Sequence, residues 1–395
     1  MIAIWVIVIV LLLIILDEQL GRKRKRASPK KEYPMRQSDM TLFTNGKHLF
    51  ADYFQSIEQA THHIHILFYI VKTDEISQQF FSLLQQKAKE GIEVRLLVDW
   101  VGSFGLPRKT IRSLKKSGVR FAYSQKPTFP YFFYQLNRRN HRKITVIDGT
   151  IGYIGGFNIG KEYIGQDADF GDWRDYHLKV SGEGVADLQA QFLDDWKATT
   201  RETVQNEERY FPPLPNGAIA HRFIATNGDG LEEDFSRLIR QAQREIMIGS
   251  PYFIPGKNVM DALLDALKRQ VAVTILVPLK ADHLFVKEAA FPYFYRLLKA
   301  GAHIHRFYQG FYHAKTIIVD DNICNIGTAN FDKRSFFLNG EMNCFIYDRA
   351  FTQQMKHVIR YELSRSERLT LDWWKKRSVW ERGKESLSTL LSQWL

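Results

Sequence analysis

Hydrophobic residues in this chain gather into short unbroken runs rather than strict alternation. In the N-terminal part the runs are IHILFYI (Ile64–Ile70), VRLLVDW (Val94–Trp100), VRFAY (Val119–Tyr123), KITVID (Lys143–Asp148) and IGYIGG (Ile151–Gly156). Runs of this length are the pattern of strands buried on both faces. Helical stretches at Ile76–Lys89 and Lys109–Lys116 separate the first three, with Gly91 and Gly118 just past their ends, where a helix stop favours glycine. The order then repeats. Glu245–Phe253, Val271–Pro278, Ala302–Phe307, Lys315–Asp320 and Asn322–Gly327 read as strands, with a helix at Val259–Arg269 and another ending near Lys299. Strand–helix alternation of this kind predicts an α/β fold: two halves, each a mixed, largely parallel sheet with helices on its faces.

The repetition reaches single residues. NHRKITVIDGTIGYIGGFN carries His141, Lys143, Asp148, Gly155 and Asn158, and YHAKTIIVDDNICNIGTAN carries His313, Lys315, Asp320, Gly327 and Asn330 at the same five offsets. One His-x-Lys is noise, whereas two copies matched at five offsets indicate an internal duplication. Duplicated halves are expected to pack about a pseudo-twofold axis, each giving one His-x-Lys to a shared cleft.

The first sixteen residues, MIAIWVIVIVLLLIIL, contain no charge. As a helix they would span about 24 Å, and about 30 Å when extended to Leu20, enough for a bilayer core. No basic residue precedes the run and no small-residue cleavage site follows it, which argues against a cleaved signal peptide. GRKRKR (Gly21–Arg26) follows instead, a flank that stays cytoplasmic and lies against anionic headgroups. The expectation is one transmembrane anchor over residues 1–20, with its N-terminus outside and the remainder of the chain cytoplasmic. A basic tether over 21–38 follows, then the halves 39–210 and 211–395, the second with C-terminal helices.

Composition narrows the partners. The 395 residues carry a formal charge of +12, with 45% hydrophobic content, a globular chain suited to anionic partners, whether nucleic acid or lipid phosphates. Cys324 and Cys344 both lie in strand-like runs and read as buried, unpaired thiols.

In a strand, residues two apart share a face, so His141 projects with Lys143 and His313 with Lys315. Two imidazoles and two ammonium groups suit phosphoryl transfer on a diester. One His attacks phosphorus covalently. The other protonates the leaving alkoxide and then deprotonates the incoming hydroxyl. The lysines, with Asn158 and Asn330, hold the non-bridging oxygens. The lysines take the place a divalent metal often fills, so neither metal nor cofactor is expected. Each His needs a partner on its other nitrogen, for which Asp175 in DWRDYH and Glu341 in LNGEMN are the candidates. Asp148 and Asp320 end their strands at a turn. There an aspartate either accepts turn amides or reaches the reacting groups, and both are carried as catalytic candidates.

These residues resemble the phospholipase D superfamily, whose signature is HxKxxxxD twice with G-G-x-N and G-x-A-N following. The likeness extends to bacterial cardiolipin synthases of the shorter, single-anchor type. It runs through NHRKITVIDGTIGYIGGFNIGKEY (Asn140–Tyr163), WRDYHLKVSGEGV (Trp173–Val185), SPYFIP (Ser250–Pro255), FYHAKTIIVDD (Phe311–Asp321) and GTANFDKRSF (Gly327–Phe336). It covers roughly Asp39 to the C-terminus. Thr328 stands where many relatives carry Ser. The resemblance implies phosphatidyl transfer between two phosphatidylglycerols, giving cardiolipin and glycerol. By the same analogy His141 is the nucleophile and His313 the general acid/base, an order the near-symmetric motifs leave open. It also implies membrane lipid as partner, with no nucleic acid. A hydrolytic phospholipase D, a membrane-anchored phosphodiesterase or nuclease, and an inert membrane scaffold are the rival readings.

Three further features carry expectations. The aromatic stretch Phe129, Tyr131, Phe132, Phe133 and Tyr134, echoed by FPYFYRLL (Phe291–Leu298), is expected to form an acyl-chain gate at the membrane surface. His62, His63 and His65 lack a carboxylate or Cys at ligand spacing and read as structural. The Trp-rich stretch Asp372–Leu395 reads either as an interfacial helix or as a cap on the second half.

Overall fold

The computed structural model describes residues 1–24, 30–204, 207–282, 286–377, 384–385 and 388. Each half contains three parallel strands: His63–Phe68, Glu93–Asp99 and Arg120–Ser124 in the first, Glu245–Gly249, Ala272–Pro278 and His303–Phe307 in the second. Crossover helices make the parallel order possible. One of them, Glu75–Lys89, is capped by Asp74, whose side chain accepts from Ser77 N, and it buries Phe80, Phe81 and Leu84. Such a cap contributes about 1 kcal/mol.

Each sheet continues antiparallel. His63–Phe68 is followed by Ile144–Ile147, Ile151–Gly155 and Trp173–Gly182. Glu245–Gly249 is followed by Thr316–Val319, Ile323–Gly327 and Gly340–Ile346. The next strands are Arg36–Asn45 on Trp173–Gly182 and Ile219–Asn227 on Gly340–Ile346. These two also pair with each other, Ser38 opposite Ile219, so the halves merge into one large mixed sheet. Leu67, Ile144, Ile318 and Met342 share a central apolar cluster, while Ile64, Ile66 and Phe68 face an outer one. That opposition is why the runs are apolar on both faces.

Several expectations change. The strands that join the halves, Arg36–Asn45 and Ile219–Asn227, are mixed in polarity, the first half-buried or open to solvent almost throughout and the second more than half buried, so no long apolar run marks them. The segment read as a tether is partly built into the sheet. Lys31 pairs with Ala225 and Arg36 with His221, while Lys30 and Arg36 bind Asp234 and Asp187. The N-terminal helix runs Ile2–Arg24. The side chains of Ile2, Ala3, Ile4, Ile7, Val8 and Leu11 lie outside the described residues. Over the described residues, no helix is long and apolar enough to cross a membrane. FPYFYRLL is core rather than gate: Phe291 and Phe294 are buried in the second half, and Trp373 and Trp374 pack on Phe291. The described part of the Trp-rich stretch therefore caps that half, while Trp380 and Trp394 lie outside the described residues.

Candidate active site

Both His-x-Lys segments lie just ahead of a strand rather than inside it, since the strands begin at Ile144 and Thr316. Each segment is held extended by the opposite half. His141 N donates to Gly340 O at 2.8 Å, and His313 N donates to Arg174 O at 2.7 Å. Those carbonyls belong to the residues immediately before Glu341 and Asp175, so the backbone contacts bring the carboxylates to the rings. His141 Nδ1 lies 3.0 Å from Glu341 Oε2, and His313 Nδ1 lies 2.7 Å from Asp175 Oδ2. The pairing is crossed: each imidazole takes its carboxylate from the other half.

Both histidines open into one cleft of about 730 Å³, also lined by Tyr69, Asn158, Tyr163, Trp173, Tyr252, Asn330 and Asp332, a size that suits a headgroup or larger ligand. The ring of Tyr69 sits edge-on to His141 at 4.9 Å, and Trp173 lies 4.9 Å from His313. Burial lowers both imidazole pKa values, His313 to about 4, so both are neutral near pH 7. For His141 the next influence is Glu341, which raises the pKa, whereas for His313 it is Lys315, which lowers it further. Glu341 and Asp175 stay ionised, because their basic neighbours outweigh burial.

The lysines are fully buried and differ in their company. Lys143 Nζ donates to His141 O at 2.8 Å, and burial brings its pKa down to about 7. Lys315 Nζ lies 3.3 Å from Asp175 Oδ2 and 2.5 Å from His313 Nδ1. Asn158 Oδ1 accepts from Ile70 N, and its Nδ2 donates to Tyr163 OH. Asn330 Nδ2 donates to Asp332, and among the described residues its buried Oδ1 has no partner. Each amide nitrogen keeps a second hydrogen for an incoming oxygen.

Asp148 and Asp320 are not in the cleft, which corrects their place as catalytic candidates. Each adopts a left-handed backbone, φ 55° and 51°, at the far end of its strand. Asp148 accepts from the amides of Thr61, His62 and His63 at 2.8–2.9 Å. Asp320 accepts from those of Gln243, Arg244 and Glu245 at 2.8–3.0 Å. Burial raises their pKa values, but the amides more than offset it and hold both below the ordinary carboxylate range. They clip the start of one strand to the end of another. His63 and His65 are core residues bound to Gln189, with His65 also bound to Arg95. Among the described residues, no group of three or more His, Cys, Asp or Glu could hold a metal.

Sequence reasoning missed the braces. Arg142 is buried and ties the halves together: Nε donates to Glu341 O at 3.2 Å, Nη2 to Thr226 O at 2.6 Å and Nη1 to Asp195 at 2.9 Å. Asp99 binds Arg139 at 3.0 Å and accepts from Asn140 N at 2.9 Å, fixing the chain that enters His141. Arginine inside the first motif, where the second has Ala314, was the visible signal.

Two mixed α/β halves presenting crossed His–carboxylate pairs and buried lysines to one cleft define a phosphodiester-transfer site of the phospholipase D type. The family described as "Cardiolipin synthase, PLD-like domain" matches residues 53–196 and 235–362, and the chain belongs to it. It is 44% identical over 393 residues to minor cardiolipin synthase ClsB of Bacillus subtilis, covering 99% of this chain and 98% of that one. It is 39% identical over 361 residues to cardiolipin synthase 2 of Staphylococcus epidermidis, covering 90% of this chain and 74% of that one. The fold matches the crystal structure of phosphatidylserine synthase from Haemophilus influenzae with a TM-score of 0.71 at 15% identity, over 92% of this chain and 97% of the other.

Proposed function

We propose that this chain is a cardiolipin synthase that joins two phosphatidylglycerols through a phosphohistidine, working as a membrane-anchored enzyme. The observation that carries this reading is the crossed arrangement, in which two neutral imidazoles, each backed by the other half's carboxylate, face one cleft. His141 Nε2 attacks the phosphorus of the first lipid, and the bond from phosphorus to the headgroup glycerol oxygen breaks. His313, neutral in the empty cleft, takes up a proton from solvent as the diester anion enters beside it, and its Nε2 gives that proton to the departing glycerol oxygen. His313 then takes the proton from the headgroup hydroxyl of the second lipid. That oxygen attacks phosphorus, the P–N bond breaks, and cardiolipin leaves with His141 restored.

The order of the histidines rests on their surroundings. Glu341 makes the His141 ring more basic, which favours attack, while Lys315 makes protonated His313 the stronger acid. The anionic diester offsets the repulsion of Lys143 and Lys315, and with the amides of Asn158 and Asn330 these neutralise its growing charge. The apolar N-terminal helix, with Arg22, Lys23 and Arg24 in its last turn, fits a single-pass anchor in a bacterial cell membrane with the catalytic part cytoplasmic.

The test is purified protein with labelled phosphatidylglycerol in mixed micelles, without nucleotide. The expected products are cardiolipin and free glycerol in equal amounts. Phosphatidic acid alone would reassign the chain as a hydrolase. Turnover of a generic phosphodiester without any lipid product would reassign it as a phosphodiesterase.

A further inference from the structure

The end of the N-terminal helix is clamped rather than loosely tethered. Asp17 accepts from Tyr134 N at 3.0 Å, and Glu18, only 4% exposed, accepts from Asn137 Nδ2 at 3.2 Å and from Arg22 at 2.9 Å. Gly21 lies flat on the Tyr134 ring, where an added Cβ would sit 2.4 Å from Cγ. Arg24 donates to Tyr131 OH at 3.2 Å. All these partners lie on or beside the short helix Phe132–Asn137, whose Leu136 and Asn137 line the catalytic cleft. His141 follows four residues after that helix.

Among the described residues, three segments that line the cleft bear an exposed aromatic. The loop holding Val101 carries Phe104, 69% exposed and packed edge-on to Trp100. The Tyr131–Asn137 segment carries Phe133, 37% exposed, with Phe129 at 86% just ahead of it. The helix Lys333–Phe337, whose Arg334 lines the cleft and binds Asn137 O, carries an exposed Phe337. Exposed Lys126 lies just ahead of the Tyr131–Asn137 segment in the chain, and the basic last turn of the N-terminal helix reaches that segment through Arg24 and Tyr131. Aromatic side chains among cations are the composition that enters an anionic lipid interface.

We infer that the cleft mouth is a membrane-docking face, and that the Asp17–Glu18–Gly21 clamp fixes its height and tilt against the bilayer. This deepens the lipid-transferase reading above and rests on it. The occupant is an anionic bilayer surface. A lipid then reaches His141 and His313 through the rim with its tails still in the membrane. The anchor does more than concentrate the enzyme, because it holds the mouth at the depth where headgroups lie.

The test compares wild type with Asp17→Ala/Glu18→Ala and with Gly21→Val, in phosphatidylglycerol vesicles and in detergent micelles. Both variants are expected to keep vesicle binding and micellar turnover within about twofold, while vesicle turnover drops about tenfold, the scale of a misplaced reacting group. A probe separates this from misfolding and from the functional reading. Cys324 and Cys344 are buried, so a fluorophore on Phe133→Cys or Phe104→Cys labels selectively. Its emission should shift blue on vesicles, more in wild type than with Gly21→Val, with no shift at Lys268→Cys. Equal vesicle turnover in wild type and clamp variants, or no shift at 104 and 133, would overturn the inference. Absence of cardiolipin from wild type in micelles would instead strike the functional reading and leave the probe result to judge the face.

Discussion

The two halves place a histidine, a lysine and a carboxylate by the same backbone contacts, yet they solve the last step differently. In the first half, Asp175 accepts directly from Tyr176 N at 2.8 Å and packs on Gly156, where a Cβ would fall 2.0 Å from its Oδ1. In the second half, the position of Gly156 holds Thr328, and the carboxylate is one carbon longer. Met342 N donates to Thr328 Oγ1 at 3.0 Å, which donates to Glu341 Oε2 at 2.5 Å. Gly with Asp and Thr with Glu are thus alternative fillings of one space. The cations differ too. Both lysines donate to the carbonyl of their own motif histidine, but Lys315 also crowds Asp175 and the His313 ring, while Lys143 lies over the Tyr69 ring. Arg142 braces Glu341, where the other motif has Ala314. A duplicated scaffold thus surrounds its two imidazoles differently, as the proposed division into attack and acid–base work calls for.

The harshest way to break this comparison is to remove each imidazole. His141→Ala and His313→Ala should each lower cardiolipin formation by about 10⁴-fold or more. They should part on a nitrophenyl phosphodiester, whose leaving group needs no proton. His313→Ala recovers release of nitrophenol there, and His141→Ala does not. Recovery in both would erase the distinction.

The carboxylates sharpen the crossing. Glu341→Gln should behave like loss of His141 and Asp175→Asn like loss of His313, each at about 10²–10⁴-fold by kcat. Interchanged phenotypes would mean that each carboxylate serves its own half. Thr328 is the next step down. Thr328→Ala removes a hydrogen bond to a charged group, worth about 1.5–3 kcal/mol, so turnover should fall about tenfold or more, with Thr328→Ser close to wild type. In the pH profile of kcat/KM, neutral His141 sets an acid limb below the ordinary imidazole range. Because His313 must take up a proton with the substrate, the rate falls as pH rises, and loss of the Lys143 proton steepens that fall near 7.

The smallest catalytic effects belong to Asp148 and Asp320. Asp148→Ala and Asp320→Ala should each cost about 1–3 kcal/mol of stability by denaturant titration, with kcat near wild type. Both carboxyl pKa values are lowered in the fold. Their contribution is therefore complete above the unfolded value, about 3.9, and is lost as pH falls through the folded one. A kcat loss on the scale of the histidines would return them to the catalytic set.

The strands around both motifs were legible because they are buried on two faces and leave apolar runs. The motif residues were legible because duplication preserved their spacing. The crossing was not, since it depends on which backbone lies beside Gly340 and Arg174, contacts that span 199 and 139 residues. Asp148 and Asp320 misled for a local reason: a left-handed residue at the strand end turns the carboxylate toward the neighbouring strand's amides. Arg36–Asn45 escaped because a strand half exposed at the junction of the halves carries polar residues on its open face. The N-terminal helix was plain as an apolar run, but its clamp was not, because Asp17, Glu18 and Gly21 gain meaning only against Tyr134 and Asn137.

Rapid quenching of the wild-type enzyme with radiolabelled phosphatidylglycerol, followed by peptide mapping, tests the central claim most directly. The account predicts an acid-labile phosphatidyl adduct on the peptide holding His141, formed before cardiolipin and discharged by added phosphatidylglycerol, and lost in Glu341→Gln. An adduct on His313, or cardiolipin formed with no adduct at either histidine, would contradict it.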